Sequence, residues 1–311
     1  MTSFETLPGL LMRDETLTPL AGCGTALVTP FTAAGAVDEA ALRALVEWQI
    51  TEGIDFLVPC GSTGEAATLT QEEHLRVVSI TAEVAAGRVP VVGGAASNDT
   101  KKAIALSRLV IDAGATHLLH ASPMYSRPPQ RGIVSHFAAI ADAVSRPVVL
   151  YNVPSRTASN MEAATTLALA AHPNIVAMKE ASGNIAQIEE IMRNRPDGFV
   201  VLSGDDAVTL QLMARGANGV ISVVSNATPR AMSDLTRAML RGDVNTAHMH
   251  DGTLKALYRA SGVESNPIPI KAAMELIGRA GNVLRLPLVP LAAEYVTAVR
   301  EALVAAGALE R

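Results

Sequence analysis

The chain has 311 residues, 49% of them hydrophobic and 18% charged, with a net charge of -5. That length suits two ordinary domains or one large α/β barrel with an appendage, and the acidic balance gives no electrostatic reason to expect nucleic acid or an acidic membrane as partner. No apolar run reaches the roughly 18 residues that a membrane span needs.

The segment from Met1 to Pro19 carries Glu5, Asp14 and Glu15 and lacks the basic-then-apolar order of a secretory signal, so a cytoplasmic location is expected. After this arm, taken as residues 1–21, Ala26-Leu27-Val28-Thr29 reads as a first strand. Asp38 can cap the helix that follows, which carries Leu42, Leu45, Val46 and Ile50 at helical spacing and stops at Gly53. The unit then repeats. Phe56-Leu57-Val58-Pro59 is strand-like, and Thr70-Gln71-Glu72-Glu73 has capping-box spacing ahead of Leu75, Val78 and Val84. Val89 to Val92 leads to a helix ending at Gly114, His117 to His120 to one around His136–Val144, and Val148 to Tyr151 to one over Met161–Ala170. Ile175 to Met178 precedes Ile185–Met192, Phe199 to Leu202 precedes Val208–Ala214, and Gly219 to Ser222 precedes a helix opened by a Thr228 cap and Pro229.

Strands alternating with helices imply parallel pairing through right-handed crossovers, and eight such units predict a closed (β/α)8 TIM barrel over residues 22–242. A doubly wound open sheet is the alternative. It would place a glycine-rich phosphate turn after the first strand, where this chain has Thr29-Pro30-Phe31. From Asp243 the strand signals stop; Asn245–Tyr258, Lys271–Ile277 and Pro290–Ala306 read as helices, which makes 243–311 a small C-terminal helical domain. The two cysteines, Cys23 and Cys60, have neither metal spacing nor the number for a disulfide scaffold, and read as packed thiols. The histidines are scattered as well, so neither a metal nor another cofactor is expected.

In a barrel of this type, chemistry gathers where the strands end. Lys179 ends the apolar run Ile175-Val176-Ala177-Met178, and an ammonium in a partly dry cleft loses protons more readily, which makes its amine a nucleophile toward carbonyls. Lys179 is therefore a Schiff-base candidate; a lysine that simply reaches from a strand end to water is the plainer alternative. Gly61-Ser62-Thr63-Gly64 either caps a helix or offers amides and hydroxyls to a carboxylate. Tyr125 and Tyr151, two of only four tyrosines, stand at predicted strand ends, and Arg156 carries a planar fork that matches a carboxylate.

Taken together, Gly61-Ser62-Thr63-Gly64-Glu65, Tyr151-Asn152-Val153-Pro154-Ser155-Arg156-Thr157, Lys179-Glu180-Ala181-Ser182-Gly183, Ser203-Gly204-Asp205-Asp206, Asn218 to Ser222 and Asn266-Pro267-Ile268-Pro269-Ile270-Lys271 resemble the dihydrodipicolinate synthase (4-hydroxy-tetrahydrodipicolinate synthase) group of pyruvate-dependent class I aldolases. The resemblance runs from about Gly22 to the C-terminus. It implies that Lys179 forms an imine with pyruvate, that Thr63 and neighbouring amides hold the pyruvate carboxylate, and that Ser62, Tyr151 and Tyr125 form a proton relay. It further implies that Arg156 holds the carboxylate of L-aspartate 4-semialdehyde and that the main chain at Ile221 lines the pyruvate pocket. Tyr125 would enter the neighbouring subunit's site, within a homotetramer built as a dimer of dimers.

Some positions depart from the pattern. Ser62 stands where the group often has threonine, and keeps the hydroxyl with a freer side chain. Members inhibited by lysine have an aromatic residue, an acid and a histidine where this chain has Met124, Lys102 and Gln71, although His74 and Asn98 match. A cation at Lys102 would repel the effector, so weak or absent lysine feedback is expected. The rival functions are another pyruvate aldolase such as N-acetylneuraminate lyase or a keto-sugar-acid aldolase, against which Arg156 stands; a phosphate-binding barrel isomerase, which Asp205 and Asp206 oppose; and a catalytically silent oligomeric barrel, against which the lysine and tyrosines stand.

Overall fold

The computed structural model describes residues 20–310, so the N-terminal arm, save for its last two residues, lies outside the described residues. Strands and helices alternate through β1 (Gly22–Ala26), α1 (Glu39–Thr51), β2 (Phe56–Val58), α2 (Gln71–Ala85), β3 (Val92–Gly94), α3 (Thr100–Asp112), β4 (His117–Ala121) and α4 (Gln130–Ala143). The second half runs β5 (Val148–Asn152), α5 (Pro154–Thr157), α6 (Ala163–Ala170), β6 (Ile175–Glu180), α7 (Ile185–Asn194), β7 (Val200–Ser203), α8 (Thr209–Met213), β8 (Gly219–Ser222) and α9 (Pro229–Leu240). Helices α10 (Val244–Ala260), α11 (Ile268–Leu276) and α12 (Ala293–Ala305) follow. None of these helices is long and apolar enough to cross a membrane.

All the strand pairings are parallel, in the order β2-β1-β8-β7-β6-β5-β4-β3. The two ends of that sheet meet. A parallel bridge joins Leu57 to Val91, and the Leu57 and Gly94 amides donate to Pro90 and Pro59, which closes the eight strands into the expected (β/α)8 barrel. Successive side chains alternate between two environments. Phe56, Leu119, Val149, Ala177, Leu202 and Ile221 fill the barrel interior, while Cys23, Leu57, Leu118, Leu150, Met178 and Val201 pack outward against the helices.

Helix starts follow the local chemistry. Asp38 accepts from the Ala41 amide at 3.0 Å, and Thr70 and Glu73 form the reciprocal capping box, each satisfying a backbone amide of the other. Thr228 is a correction: its hydroxyl donates back to the Val224 carbonyl at 2.9 Å instead of capping α9. Two strands are also shifted from expectation. β1 lies at Gly22–Ala26 rather than Ala26–Thr29, and β3 at Val92–Gly94 rather than Val89–Val92. Both use glycine for close approach. A Cβ on Gly24 would lie 2.0 Å from the Phe56 ring, and one on Gly94 would lie 2.0 Å from the Cys60 carbonyl oxygen.

Candidate active site

The carboxyl ends of the strands surround a cavity of about 700 Å³ whose walls include Ser62, Thr63, Tyr151, Arg156, Lys179 and Asp206. Lys179 is the fifth residue of the six in β6, so it stands inside the strand rather than beyond its end. Alternation places it on the interior face, two residues above Ala177. It is 5% exposed, and no carboxylate of the described residues makes an ion pair with it. Burial pulls its pKa down to about 8; Asp206 pushes it back up and Arg156 adds to the lowering. At pH 7, about 300 times more free amine follows than for an ordinary lysine, which is what a nucleophile toward a carbonyl requires.

Tyr151 on β5 is the register partner of Lys179. The Lys179 Nζ lies 4.4 Å from the centroid of the Tyr151 ring, so the ring face supports the cation while the amine makes no hydrogen bond to the described residues. Burial raises the Tyr151 hydroxyl to about 12, with Arg156 pulling it down. A neutral phenol that keeps its proton is suited to passing one, not to standing as a base.

The loop after β2 folds on itself through Gly64 N–H to Gly61 O at 3.1 Å and Glu65 N–H to Ser62 O at 3.2 Å. Ser62 is exposed to the cavity, whereas Thr63 is buried and its Oγ1 accepts from Asn266 Nδ2 at 2.9 Å. Arg156 projects from α5, the short helix begun by Pro154, and its Nη2 donates to the Asn266 carbonyl at 3.2 Å. Its guanidinium is exposed to the cavity and available to an anion.

Two of the sequence-predicted residues stand apart. Tyr125 is 91% exposed, at φ 68°, and its side chain does not reach this cavity. The side chain of Ile221 packs into the barrel interior below the cavity, and Val223 and Val224 form the adjoining wall. Sequence reasoning also gave no role to Asp206, Asn266 or Lys271. Asp206 Oδ2 accepts from the amides of Val223 and Val224, both at 3.0 Å, and so fixes the β8–α9 turn; burial pushes its carboxyl pKa up. The doubled acid in Ser203-Gly204-Asp205-Asp206 is the available signal; in the sequence it carries part of the family resemblance and an argument against phosphate, but no role for Asp206 itself. Among the described residues, no group of three or more His, Cys, Asp or Glu side chains could hold a metal ion.

A buried, partly deprotonated lysine facing a phenol, with a hydroxyl-lined loop on one side and a guanidinium on the other, can form an imine with a carbonyl compound that carries a carboxylate. The comparisons agree with that chemistry. The Dihydrodipicolinate synthetase family matches residues 19–306. The 4-hydroxy-tetrahydrodipicolinate synthase of Koribacter versatilis (strain Ellin345) is 50% identical over 292 residues, which cover 94% of this chain and 97% of the relative. That of Geobacter sulfurreducens is 51% identical over 271 residues, 87% of this chain and 93% of its own. Among solved structures, the chloride-inhibited dihydrodipicolinate synthase from Acinetobacter baumannii complexed with pyruvate superposes with a TM-score of 0.91 at 39% identity, covering 93% of this chain and 99% of that one.

Proposed function

The chain belongs to the dihydrodipicolinate synthetase family, and from that premise we propose that it is a 4-hydroxy-tetrahydrodipicolinate synthase, a lyase of the class I aldolase type that condenses pyruvate with L-aspartate 4-semialdehyde. The observation that carries the reading is Lys179, buried on the barrel's interior face with its pKa drawn to about 8.

Lys179 Nζ attacks the keto carbon of pyruvate, and loss of water leaves a protonated imine. That cation draws electrons from the methyl carbon, which loses a proton to give an enamine. The enamine carbon attacks the aldehyde of the second substrate, and the resulting alkoxide takes a proton. The semialdehyde's own amine then displaces Nζ at the imine carbon, which closes the ring and frees the lysine. Tyr151, with Ser62 and Tyr125, carries the protons. Thr63 and the loop amides hold the pyruvate carboxylate, the main chain at Ile221 backs the pyruvate, and Arg156 takes the carboxylate of the semialdehyde two-pronged.

The working unit is read as at least a dimer within a homotetramer. Tyr125, exposed and held on a left-handed backbone, is free to enter a neighbouring subunit's cavity. The place of work is read as the cytoplasm, in the route that supplies diaminopimelate and lysine.

A panel of aldehyde acceptors assayed with pyruvate tests the reading. Turnover with L-aspartate 4-semialdehyde and none with sugar aldehydes is expected. Turnover with a sugar aldehyde alone would overturn it in favour of a sugar-acid aldolase.

A further inference from the structure

A second buried lysine lies behind the cavity. Lys271, near the middle of α11, has a side chain 0% exposed and makes an ion pair with the equally buried Glu65, the residue that follows the Gly61–Gly64 loop. Its Nζ also donates to the Val283 carbonyl at 2.7 Å and lies 4.2 Å from the centroid of the Phe31 ring, so two of its three donors are taken and its charge rests against a ring inside the protein. Glu65 Oε2 in turn accepts from the Arg285 amide at 3.1 Å. The Arg285 guanidinium forks onto Glu73 at 2.7 and 2.6 Å, and so ties the same region to the start of α2.

The backbone shows what this holds. Cys60 and Glu65, which bracket the loop, have φ of 56° and 54°, the left-handed region that non-glycine residues seldom adopt. Such a conformation is strained for a side-chain-bearing residue and persists only where its surroundings fix it. Glu65 is fixed through both carboxylate oxygens. Five residues before Lys271, Asn266 donates to Thr63 Oγ1 at 2.9 Å while its carbonyl receives Arg156. The segment entering α11 therefore grips the loop on both sides of Gly64 and touches the guanidinium across the cavity.

We propose that Lys271 and Asn266 are positioning residues: the Glu65–Lys271 ion pair and the Asn266–Thr63 bond hold the loop in the one conformation that receives the carboxylate of pyruvate. The proposal rests on the pyruvate reading above. Removing one partner would strand a buried charge and threaten the fold, whereas replacing both with neutral groups of similar shape is tolerated far better. The test therefore uses the double variant Glu65→Gln/Lys271→Met, with Asn266→Ala as an independent variant that buries no charge.

The readout is borohydride trapping of pyruvate on Lys179, titrated with pyruvate and resolved by mass mapping. In both variants the pyruvate concentration at half-saturation should rise at least about tenfold, the order of one lost charge-assisted hydrogen bond. The maximal trapping rate should stay within about twofold, because Lys179 and Tyr151 keep their places. A purely structural role would lower the denaturation midpoint and leave the half-saturating concentration unchanged; that result in either folded variant overturns the proposal. Absence of any adduct in the wild-type chain is a different result, and it sinks the pyruvate reading together with this one.

Discussion

Lys179 Nζ sits 4.4 Å above the ring of Tyr151, its register partner on the adjacent strand. A cation resting on a π face is supported without an ion-paired carboxylate, and the desolvation of burial outweighs the upward pull of Asp206 on its pKa.

The rate of imine formation should therefore rise with pH through an apparent pKa of about 8, because the neutral amine is the reacting form. Measuring the initial trapping rate from pH 6 upward checks this. A rate that goes on climbing about tenfold per pH unit past pH 9, with no levelling, would mean that the lysine keeps the pKa of an exposed amine.

The same shift has a cost. A lysine that ionises at about 8 when folded and near 10.5 when unfolded binds fewer protons in the native state between those values. Stability then rises with pH through that window, and below pH 8 the penalty of about 3 kcal/mol is fully present. Lys179→Met should abolish condensation and yet raise stability at pH 7 by about 1–3 kcal/mol, with the advantage fading as the pH climbs toward 10. Chemical denaturation of both proteins at the two pH values reads it out.

Arg156→Ala should raise the KM for the semialdehyde about 10–100-fold, the worth of a lost charge-assisted pair, and leave that for pyruvate nearly unchanged. Arg156 also lowers the pKa of Lys179, so the trapping profile of the variant should move to higher pH. Steady-state kinetics with each substrate varied separates the two effects. Arg156→Lys should rescue only in part, since an ammonium cannot make the two-pronged contact.

Tyr125 makes a distinctive prediction because its side chain lies away from its own cavity. Tyr125→Phe and Lys179→Met should each be inactive alone. Refolded together they should regain activity, as mixed dimers assemble sites with both groups intact. No recovery on mixing would show that Tyr125 does not act across subunits.

Lysine at millimolar concentration should leave the activity nearly unchanged. We infer this from Lys102, whose positive charge would repel an ammonium effector, and from Asn98, whose Oδ1 already accepts from the Met124 amide at 3.1 Å. Strong inhibition would contradict this.

The eight strands were legible because strands buried on both faces read as short apolar runs. Apolar runs do not mark a strand where close packing demands glycine. Gly22 and Gly24 in β1, and Gly93 and Gly94 in β3, carry no hydropathy signal, so both strands were read too far along or too early. Lys179, Tyr151 and Arg156 can be found because each ends or follows a readable apolar run. The partnership of Glu65 with Lys271, separated by 206 residues, could not, because a buried ion pair is a fact of tertiary packing with no local pattern.

Borohydride reduction of the wild-type chain in the presence of pyruvate, followed by peptide mass mapping, tests the account at its centre. A single pyruvyl adduct, carried by Lys179 and absent from Lys271 despite its burial, is the predicted result. No adduct, or one confined to any other lysine, would contradict it.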